Sequence, residues 1–356
     1  MKRIVLTGGG TAGHVTPNLA LIPVLLNEGW DVHYIATKDG IEKKLLAQVP
    51  NVTYHEVHTG KLRRYIDIKN LSDPFRVLWG IAEAAQIIRN LRPNIVFSKG
   101  GFVAVPVVYG AALNRVPVLA HESDMTAGLA NKLSAPFCKK ILCTFPETAG
   151  AAGIKGCYVG TPMRASLFTG RRENGLKRFG FSGSRPVLMI TGGSSGAAAI
   201  NRAVRQALPR FTQFFDVLHL CGEGNLVTEL DGTKGYCQVE YLNEEMPDAY
   251  AMADVIISRA GSNTVCEILA LRKPSLLIPY PSDISRGDQE LNAESFEKRG
   301  LARVLPQADM TPDTLFEHLK NTYRDRGQLI DAMEKEPNEN GVKAVMEYIR
   351  RYALPE

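Results

Sequence analysis

Cysteine is scarce in this sequence and carries no pattern. The six that occur (Cys138, Cys143, Cys157, Cys221, Cys237 and Cys266) form no C-x-x-C pair and have no histidine at zinc spacing. That argues against a disulfide framework or a structural zinc site, and for a reducing, cytosolic compartment. Long apolar runs are missing too. The longest, "GFVAVPVVYGAAL" from Gly101 to Leu113, is interrupted by Pro106 and falls short of the ~20 residues a membrane helix needs. The opening "KRIVLTGGG" breaks into glycine after three apolar residues, so it reads as a short buried strand rather than a secretory leader. No lipidation motif stands at the C-terminus. No D-x-D carboxylate pair is available to bridge a metal to a diphosphate, so no metal and no cofactor is expected. Charge is only mildly one-sided: 42 Lys and Arg against 37 Asp and Glu give +5. That balance suits an anionic small molecule or an anionic membrane surface. It lacks the clustered basic excess of a nucleic-acid binder.

What is present is α/β patterning punctuated by glycine. At 356 residues and 45% hydrophobic, the chain is too long for one comfortable core and about right for two. Short apolar runs alternate with longer segments of helical period, which predicts parallel sheets with crossover helices. Strand candidates in the first half are "RIVLTG", "DVHYIA", "VTYHEV", "NIVFSKG", "PVLAHES" and "KILCTF". Between them "TPNLALIPVLLNEGW" and "LSDPFRVLWGIAEAAQIIRNL" read as helices, with Pro17 in a first turn and Gly29 at a helix end. From Val159 to Asn174 the pattern lapses into Gly, Pro and charge, a linker signature. It restarts at "RPVLMITGGSSGAAAINRAV", again strand, glycine loop and helix. "FDVLHLCGEG", "CQVEYL", "DVIISRAGS", "PSLLIPYP" and "LARVLP" follow as strands. The expected fold class is α/β, two doubly wound Rossmann-like domains whose parallel sheets face a deep cleft, the natural ligand site. The expected domains are residues 1–162 and 163–340. A C-terminal helix over 341–356 would pack back through Val342, Val345, Met346 and Ile349.

The loop "GGGTAGH" poses the functional question. Gly8, Gly10 and Gly13 satisfy the G-x-G-x-x-G spacing of a dinucleotide fingerprint, and a glycine turn entering a helix favours an anion. A dinucleotide site also needs an acidic residue about 20 residues on, at the end of the second strand. That strand ends "YIATKDG", where Thr37 and Lys38 come first and Asp39 late, a poor fit. A hydride-transfer cofactor has no use for His14 beside its phosphates. A second loop, "TGGSSGAAAIN", adds the hydroxyls of Ser194 and Ser195 to backbone donors and suits a diphosphate. In "SRAGSNTVCEILA", Glu267 lies in the first turns of a helix. There it either accepts hydrogen bonds from ribose hydroxyls or merely complements the helix dipole. Gln289 and Asn292 fall at i, i+3 on one helical face, where amides can read sugar hydroxyls. Arg164 in "GTPMR" is the arginine best placed to neutralise phosphate, unless it is a solvated linker charge. An NAD-dependent oxidoreductase and a nucleotide-sugar enzyme therefore both remain open on these residues.

Seven segments in order, "GGGTAGH", "SKGGFVAVP", "HESDMTAGLANK", "GTPMR", "GGSSGAAAIN", "SRAGSNTVCE" and "DQELNA", resemble the MurG family over nearly the whole chain. Those are the peptidoglycan N-acetylglucosaminyltransferases, with a two-domain GT-B fold. The resemblance implies inverting transfer of N-acetylglucosamine from UDP-N-acetylglucosamine to the C4 hydroxyl of an undecaprenyl-diphospho-N-acetylmuramoyl peptide. It implies donor contacts from Thr11, Ala12, Gly13, Arg164, Ser194 and Gln289. A uridine-ribose pocket would run from Arg259 through Ser262, Asn263 and Thr264 to Glu267, with backbone near Leu242 at the uracil. His14 is implied as the general base or its orienting partner, with Glu122 the other catalytic candidate. The family commonly reads HEQN where this chain has His121-Glu122-Ser123-Asp124, so Asp124 stands at a donor-contacting asparagine. It also often reads Asp-His-Gln where this chain has Gly287-Asp288-Gln289. Rivals on the same fold are a transfer to diacylglycerol or another polyprenyl lipid, an epimerase of the same nucleotide sugar, and a non-catalytic lipid-carrier binder.

One segment bears on reaching a lipid acceptor. In "GKLRRYIDIKNLSDPFRVLWGIAEAAQ", Lys61, Arg63, Arg64 and Arg76 supply charge, while Phe75, Leu78, Trp79 and Ala82 recur at helical spacing. Such a stripe either faces the core or, beside basic residues, docks on anionic lipid. The second reading implies peripheral binding at the cytoplasmic face of the cell membrane. It would set the acceptor diphosphate against the Gly8–Gly13 loop.

Overall fold

The computed structural model describes residues 1–47, 49–59, 73–193, 196–283, 287–336 and 340–355. The chain forms two compact units, Met1–Arg164 with Asn340–Glu356, and Ala165–Glu339.

The first unit is built on seven strands: β1 (Arg3–Thr7), β2 (Asp31–Ala36), β3 (Val52–Glu56), β4 (Ile95–Ser98), β5 (Val118–Glu122), β6 (Lys140–Cys143) and β7 (Gly156–Tyr158). They pair in parallel in the order β3-β2-β1-β4-β5-β6-β7. Central strands β4 and β5 are buried along their whole length, because helices cover both faces of a parallel sheet. That is why they read as continuous apolar runs rather than alternations. The helices are α1 (Thr16–Asn27), α2 (Ile41–Leu46), α3 (Asp73–Leu91), α4 (Ala104–Leu113), α5 (Leu129–Ser134) and α6 (Pro146–Ala151). Pro17 does sit in the first turn of α1, and Gly29 takes φ +77° just past its end, where its N–H donates to Leu26 O. One core packs Leu21, Ile22 and Leu25 of α1 against β1, β2 and β4, and the other packs Ala84 and Ile88 of α3 and Val107, Val108 and Ala111 of α4 against the opposite face. The short edge strand β7 lies where the sequence shows no strand pattern; at three residues it has no room for one.

The second unit carries α7 (Arg172–Phe179), then β8 (Val187–Thr191), α8 (Ala198–Phe214), β9 (Asp216–Leu220), β10 (Tyr236–Val239), α9 (Met246–Met252), β11 (Val255–Ser258), α10 (Ser262–Ala270) and β12 (Ser275–Leu277). It ends with α11 (Asp288–Lys298), β13 (Arg303–Val304), α12 (Pro312–Arg324) and α13 (Arg326–Lys335). Its sheet is again wholly parallel, in the order β10-β9-β8-β11-β12-β13. The last helix, α14 (Val342–Tyr352), belongs to the first unit, where Val345, Met346 and Ile349 are fully buried in the core of α1 and β4. Burying three such side chains is worth roughly 5–9 kcal/mol, at about 1.5–3 kcal/mol each.

The stripe on α3 does not face the core. Leu78 and Trp79 are 63% and 65% exposed and Ala82 is exposed, while Gly80, Ala84 and Ile88 form the buried face. The reason is the close approach of α3 to its neighbours. A Cβ on Gly80 would lie 1.9 Å from His58 O, and one on Gly110 of α4 would lie 2.7 Å from Ala85 N. Only small residues fit at those contacts, and Leu78 and Trp79 lie on the other side of the helix, while Ile88, two turns past Gly80, is the large residue the core takes. The Phe75 side chain, Lys61, Arg63 and Arg64 lie outside the described residues.

Candidate active site

Each sheet reverses its winding direction once, between β1 and β4 in the first unit and between β8 and β11 in the second. The crevice beyond the carboxyl ends of two such strands is where open α/β sheets take ligands, because the chain leaves in opposite directions there. Both glycine loops and most of the sequence-derived site residues stand at these two points.

In the first unit β1 delivers the loop Gly8–Gly13 and a single turn, Ala12–His14, before α1 begins. Thr11 Oγ1 and His14 Nδ1 are 2.9 Å apart, and the His14 amide donates to Thr11 O. The imidazole is thus held by its Nδ1, and when Nδ1–H is the donor the basic nitrogen is Nε2. From β4 come Gly100 and Gly101, both at positive φ; a Cβ on Gly101 would meet Gly9 O at 2.4 Å and His14 Nδ1 at 3.3 Å. Glycine is required there because two loops and an imidazole converge.

Beneath the loop lies a residue that sequence reasoning missed. Glu42 on α2 is fully buried, and its carboxylate accepts from Gly10 N at 3.2 Å, from Thr37 N at 3.3 Å and from the Thr37 hydroxyl. Gly9 rests on the same carboxylate, which a Cβ there would meet at 2.7 Å. An acidic group does stand near the end of β2, as a dinucleotide site demands, but it bonds the loop itself. With the Gly10 amide taken and a carboxylate below, the loop is a poor cradle for a pyrophosphate, and the hydride-transfer reading loses its main support. The same contact narrows the expectation that the acceptor diphosphate lies against Gly8–Gly13: Gly10 N is not among the donors it would use.

Glu122 ends β5, 5% exposed, and its carboxylate accepts from Asp124 N, Gly128 N and Asn131 Nδ2 at 3.1, 3.0 and 2.8 Å. That geometry braces the 123–128 loop. Asp124 is half-buried on this loop, its carbonyl accepting from the Thr148 hydroxyl. His121 is no alternative base. Burial, with the charge of Lys99 nearby, pushes its pKa down to about 3, and its Nε2 lies 3.0 Å from Gly160 O. Lys99 itself, 1% exposed, packs its Cβ behind Gly8 and donates to Ser123 Oγ.

In the second unit the glycine loop turns at Gly193 and Gly196, both at positive φ, and enters α8; Ser194 and Ser195 lie outside the described residues. A Cβ on Gly196 would meet Cys221 O at 2.1 Å, so the loop lies flat on the end of β9. Beyond β11, the half-buried Ser262, Asn263 and Thr264 form the first turn of α10, with Glu267 one turn on. Tyr250, from α9, donates its hydroxyl to Glu267 Oε2 at 2.9 Å. Leu242 is buried just before α9. Gln289, half-buried in the first turn of α11, accepts from Tyr280 N at 3.0 Å through Oε1, so its NH2 is not engaged in that contact. Arg164 is exposed and ends the first stretch of the N-terminal unit.

Two sequence expectations need correction here. Asn292 is fully buried and donates to Ala260 O at 3.0 Å, so it braces the loop after β11 rather than sharing a sugar-reading face with Gln289. Arg259 is 6% exposed; its guanidinium donates to Ile278 O and Pro279 O at 3.0 Å and to Gln307 Oε1 at 2.6 Å, and stacks 5.0 Å over Tyr280. It ties β11 to β12 and carries the site wall more than it presents a donor to ligand. Among the described residues no three His, Cys, Asp or Glu side chains group as a metal site would require.

Comparison with known proteins agrees with this layout. Residues 4–143 match the glycosyltransferase family 28 N-terminal domain, and residues 187–349 match the C-terminal domain of that family. A protein of Clostridium tetani named UDP-N-acetylglucosamine--N-acetylmuramyl-(pentapeptide) pyrophosphoryl-undecaprenol N-acetylglucosamine transferase is 49% identical over 99% of this chain and 98% of its own. One of Clostridium novyi with the same name is 48% identical over 98% of each. The crystal structure of Acinetobacter baumannii MurG superposes with a TM-score of 0.78 at 25% identity, covering 99% of this chain and 100% of that one. The glycosyltransferase SnogD from Streptomyces nogalater shares the fold alone, with a TM-score of 0.64 at 15% identity over 99% and 100% of the two chains. With both family 28 domains in order and near-half identity along its whole length, the chain belongs to glycosyltransferase family 28 and, within it, to the MurG family.

Proposed function

We propose that this glycosyltransferase moves N-acetylglucosamine from UDP-N-acetylglucosamine to the C4 hydroxyl of an undecaprenyl-diphospho-N-acetylmuramoyl peptide, with inversion, in peptidoglycan synthesis. The observation that carries the reading is the full-length identity to relatives bearing that transferase name. His14, oriented by Thr11 at 2.9 Å, is the base that takes the proton of the attacking hydroxyl. Imidazole is the side chain most often used for that proton transfer near neutral pH. Arg164, Ser194 and the amides entering α8 stabilise the departing diphosphate, in the manner of positioned donors aimed at developing charge. Ser262, Asn263, Thr264 and Glu267 hold the ribose, the backbone near Leu242 meets the uracil, and the Gln289 NH2 reads a sugar hydroxyl.

The acceptor is a lipid, and no helix among the described residues is long and apolar enough to cross a membrane. Peripheral docking at the cytoplasmic face of the membrane is supported by Leu78 and Trp79, exposed on α3 beside Arg76. The test is transfer from labelled UDP-N-acetylglucosamine to a short-chain lipid-linked muramoyl peptide, with diacylglycerol in parallel. Label in the muramoyl peptide alone is expected; label in diacylglycerol alone would move the chain to another lipid-glycosylating reaction.

A further inference from the structure

We infer that Tyr250 is a positioning residue that sets the enzyme's preference for a ribonucleotide donor, acting through Glu267. The inference rests on the assignment of Glu267 to the ribose. Tyr250 is 3% exposed and sits on α9, the helix that follows the Leu242 segment. Its hydroxyl reaches Glu267 Oε2, on α10, at 2.9 Å. The donor cannot fail by ionising, because burial and the Glu267 charge raise the phenol well above its ordinary pKa. Glu267 is half-buried, with the rotamer freedom of a long carboxylate. A fixed O–H on one oxygen selects one orientation of the group, which then presents itself to two vicinal hydroxyls as a fixed acceptor pair. The same contact ties the helix after the uracil segment to the helix that carries the ribose acid. Base and sugar recognition thereby share one rigid part within the second unit.

A buried tyrosine also needs an acceptor merely to remain satisfied, so the experiment must separate positioning from packing. Tyr250→Phe keeps the ring and removes only the hydroxyl. Three proteins, the wild type, Tyr250→Phe and Glu267→Ala, are compared in donor KM, in kcat, and in inhibition by UDP against 2′,3′-dideoxy-UDP. Wild type is expected to prefer UDP by about 10- to 100-fold, the worth of one charge-assisted hydrogen bond. Tyr250→Phe is expected to narrow that preference to within about threefold and to raise donor KM about tenfold, with kcat within about twofold, as for lost ground-state alignment. Loss of preference in Glu267→Ala together with full preference in Tyr250→Phe overturns the inference, and a lowered unfolding midpoint in Tyr250→Phe would then mark the hydroxyl as packing only. Full preference in Glu267→Ala overturns the ribose assignment beneath it.

Discussion

Replacing Glu42 with alanine is expected to loosen the loop that carries Thr11 and His14, with both stability and turnover reporting it. The carboxylate is fully buried and serves Gly10 N, Thr37 N and the Thr37 hydroxyl. The two backbone bonds, at 3.2 and 3.3 Å, are long and lie at the weak end of those made to a charge. Gly10 is exposed and Thr37 half-buried, so water partly replaces the lost acceptor and each amide costs about 0.5–1.5 kcal/mol, while the hydroxyl can turn to another acceptor. Adding the cavity left by the side chain gives roughly 3–5 kcal/mol for the first unit. Against a typical m-value of about 2 kcal/mol/M in urea, the midpoint of that unit should fall by about 1.5–2.5 M. Turnover should drop about 100-fold, since displacing a catalytic group by about 1 Å costs that much. Glu42→Gln keeps one acceptor oxygen but turns an NH2 toward donors, and should fall between wild type and alanine in both readings. Urea unfolding followed by fluorescence, with kcat on the short-chain acceptor, decides the matter. A Glu42→Ala protein with unchanged midpoint and unchanged kcat would refute the account of the loop.

His14→Ala should lower kcat by about 10²–10⁴-fold, as for a general base, with UDP affinity by calorimetry within about twofold of wild type. Leu78→Ser with Trp79→Ser should cut co-sedimentation with anionic vesicles; because both side chains are exposed, the unfolding free energy should change by no more than about 1 kcal/mol and activity on a soluble short-chain acceptor should persist. Transfer should continue in excess EDTA; complete, metal-reversible inhibition would reveal a metal requirement. His121 and His219, both fully buried, have pKa values pushed down to about 3, chiefly by burial. Each takes up a proton on unfolding at a pH below about 6.5 and above about 3, so their stabilising contribution is full above 6.5 and is lost as pH falls. Stability should decline by about 1.4 kcal/mol per pH unit below pH 6 in each unit, through His121 in the first and His219 in the second, and His219→Gln should remove that contribution from the second unit alone in urea titrations.

The doubly wound architecture was legible because a parallel sheet is covered on both faces and its strands are short, nearly unbroken apolar runs. The two glycine loops stood out for the same reason that they matter: the chain must turn at positive φ and lie flat on a neighbouring strand, as at Gly196 against Cys221 O. Burial direction was not legible. Glu122 and Arg259 are polar residues at or just beyond strand ends, which marks a ligand site, and Asn292 lies on α11 near another, yet all three turn inward to brace neighbouring loops. Glu42 and Tyr250 gave the opposite difficulty. Glu42 reads as an ordinary first-turn acid of a short helix, and nothing in "GIEKK" shows that its carboxylate lies under Gly9. Tyr250 reads as one more apolar residue of "DAYAMAD". Its partner lies 17 positions on and is brought to it by the crossover of β11. The stripe on α3 has core-like spacing, but the tight contacts at Gly80 and Ala85 put Gly80, Ala84 and Ile88 on the core side instead.

The most direct test of the central claim is the structure of the product. The enzyme is incubated with UDP-N-acetylglucosamine and a short-chain lipid-linked muramoyl peptide, and the purified glycolipid is analysed by proton NMR and mass spectrometry. The account predicts one added N-acetylhexosamine, β-linked to C4 of the muramoyl residue, with the acceptor diphosphate intact. An α-linkage, a sugar at another hydroxyl, or free N-acetylglucosamine with no glycolipid formed would contradict it.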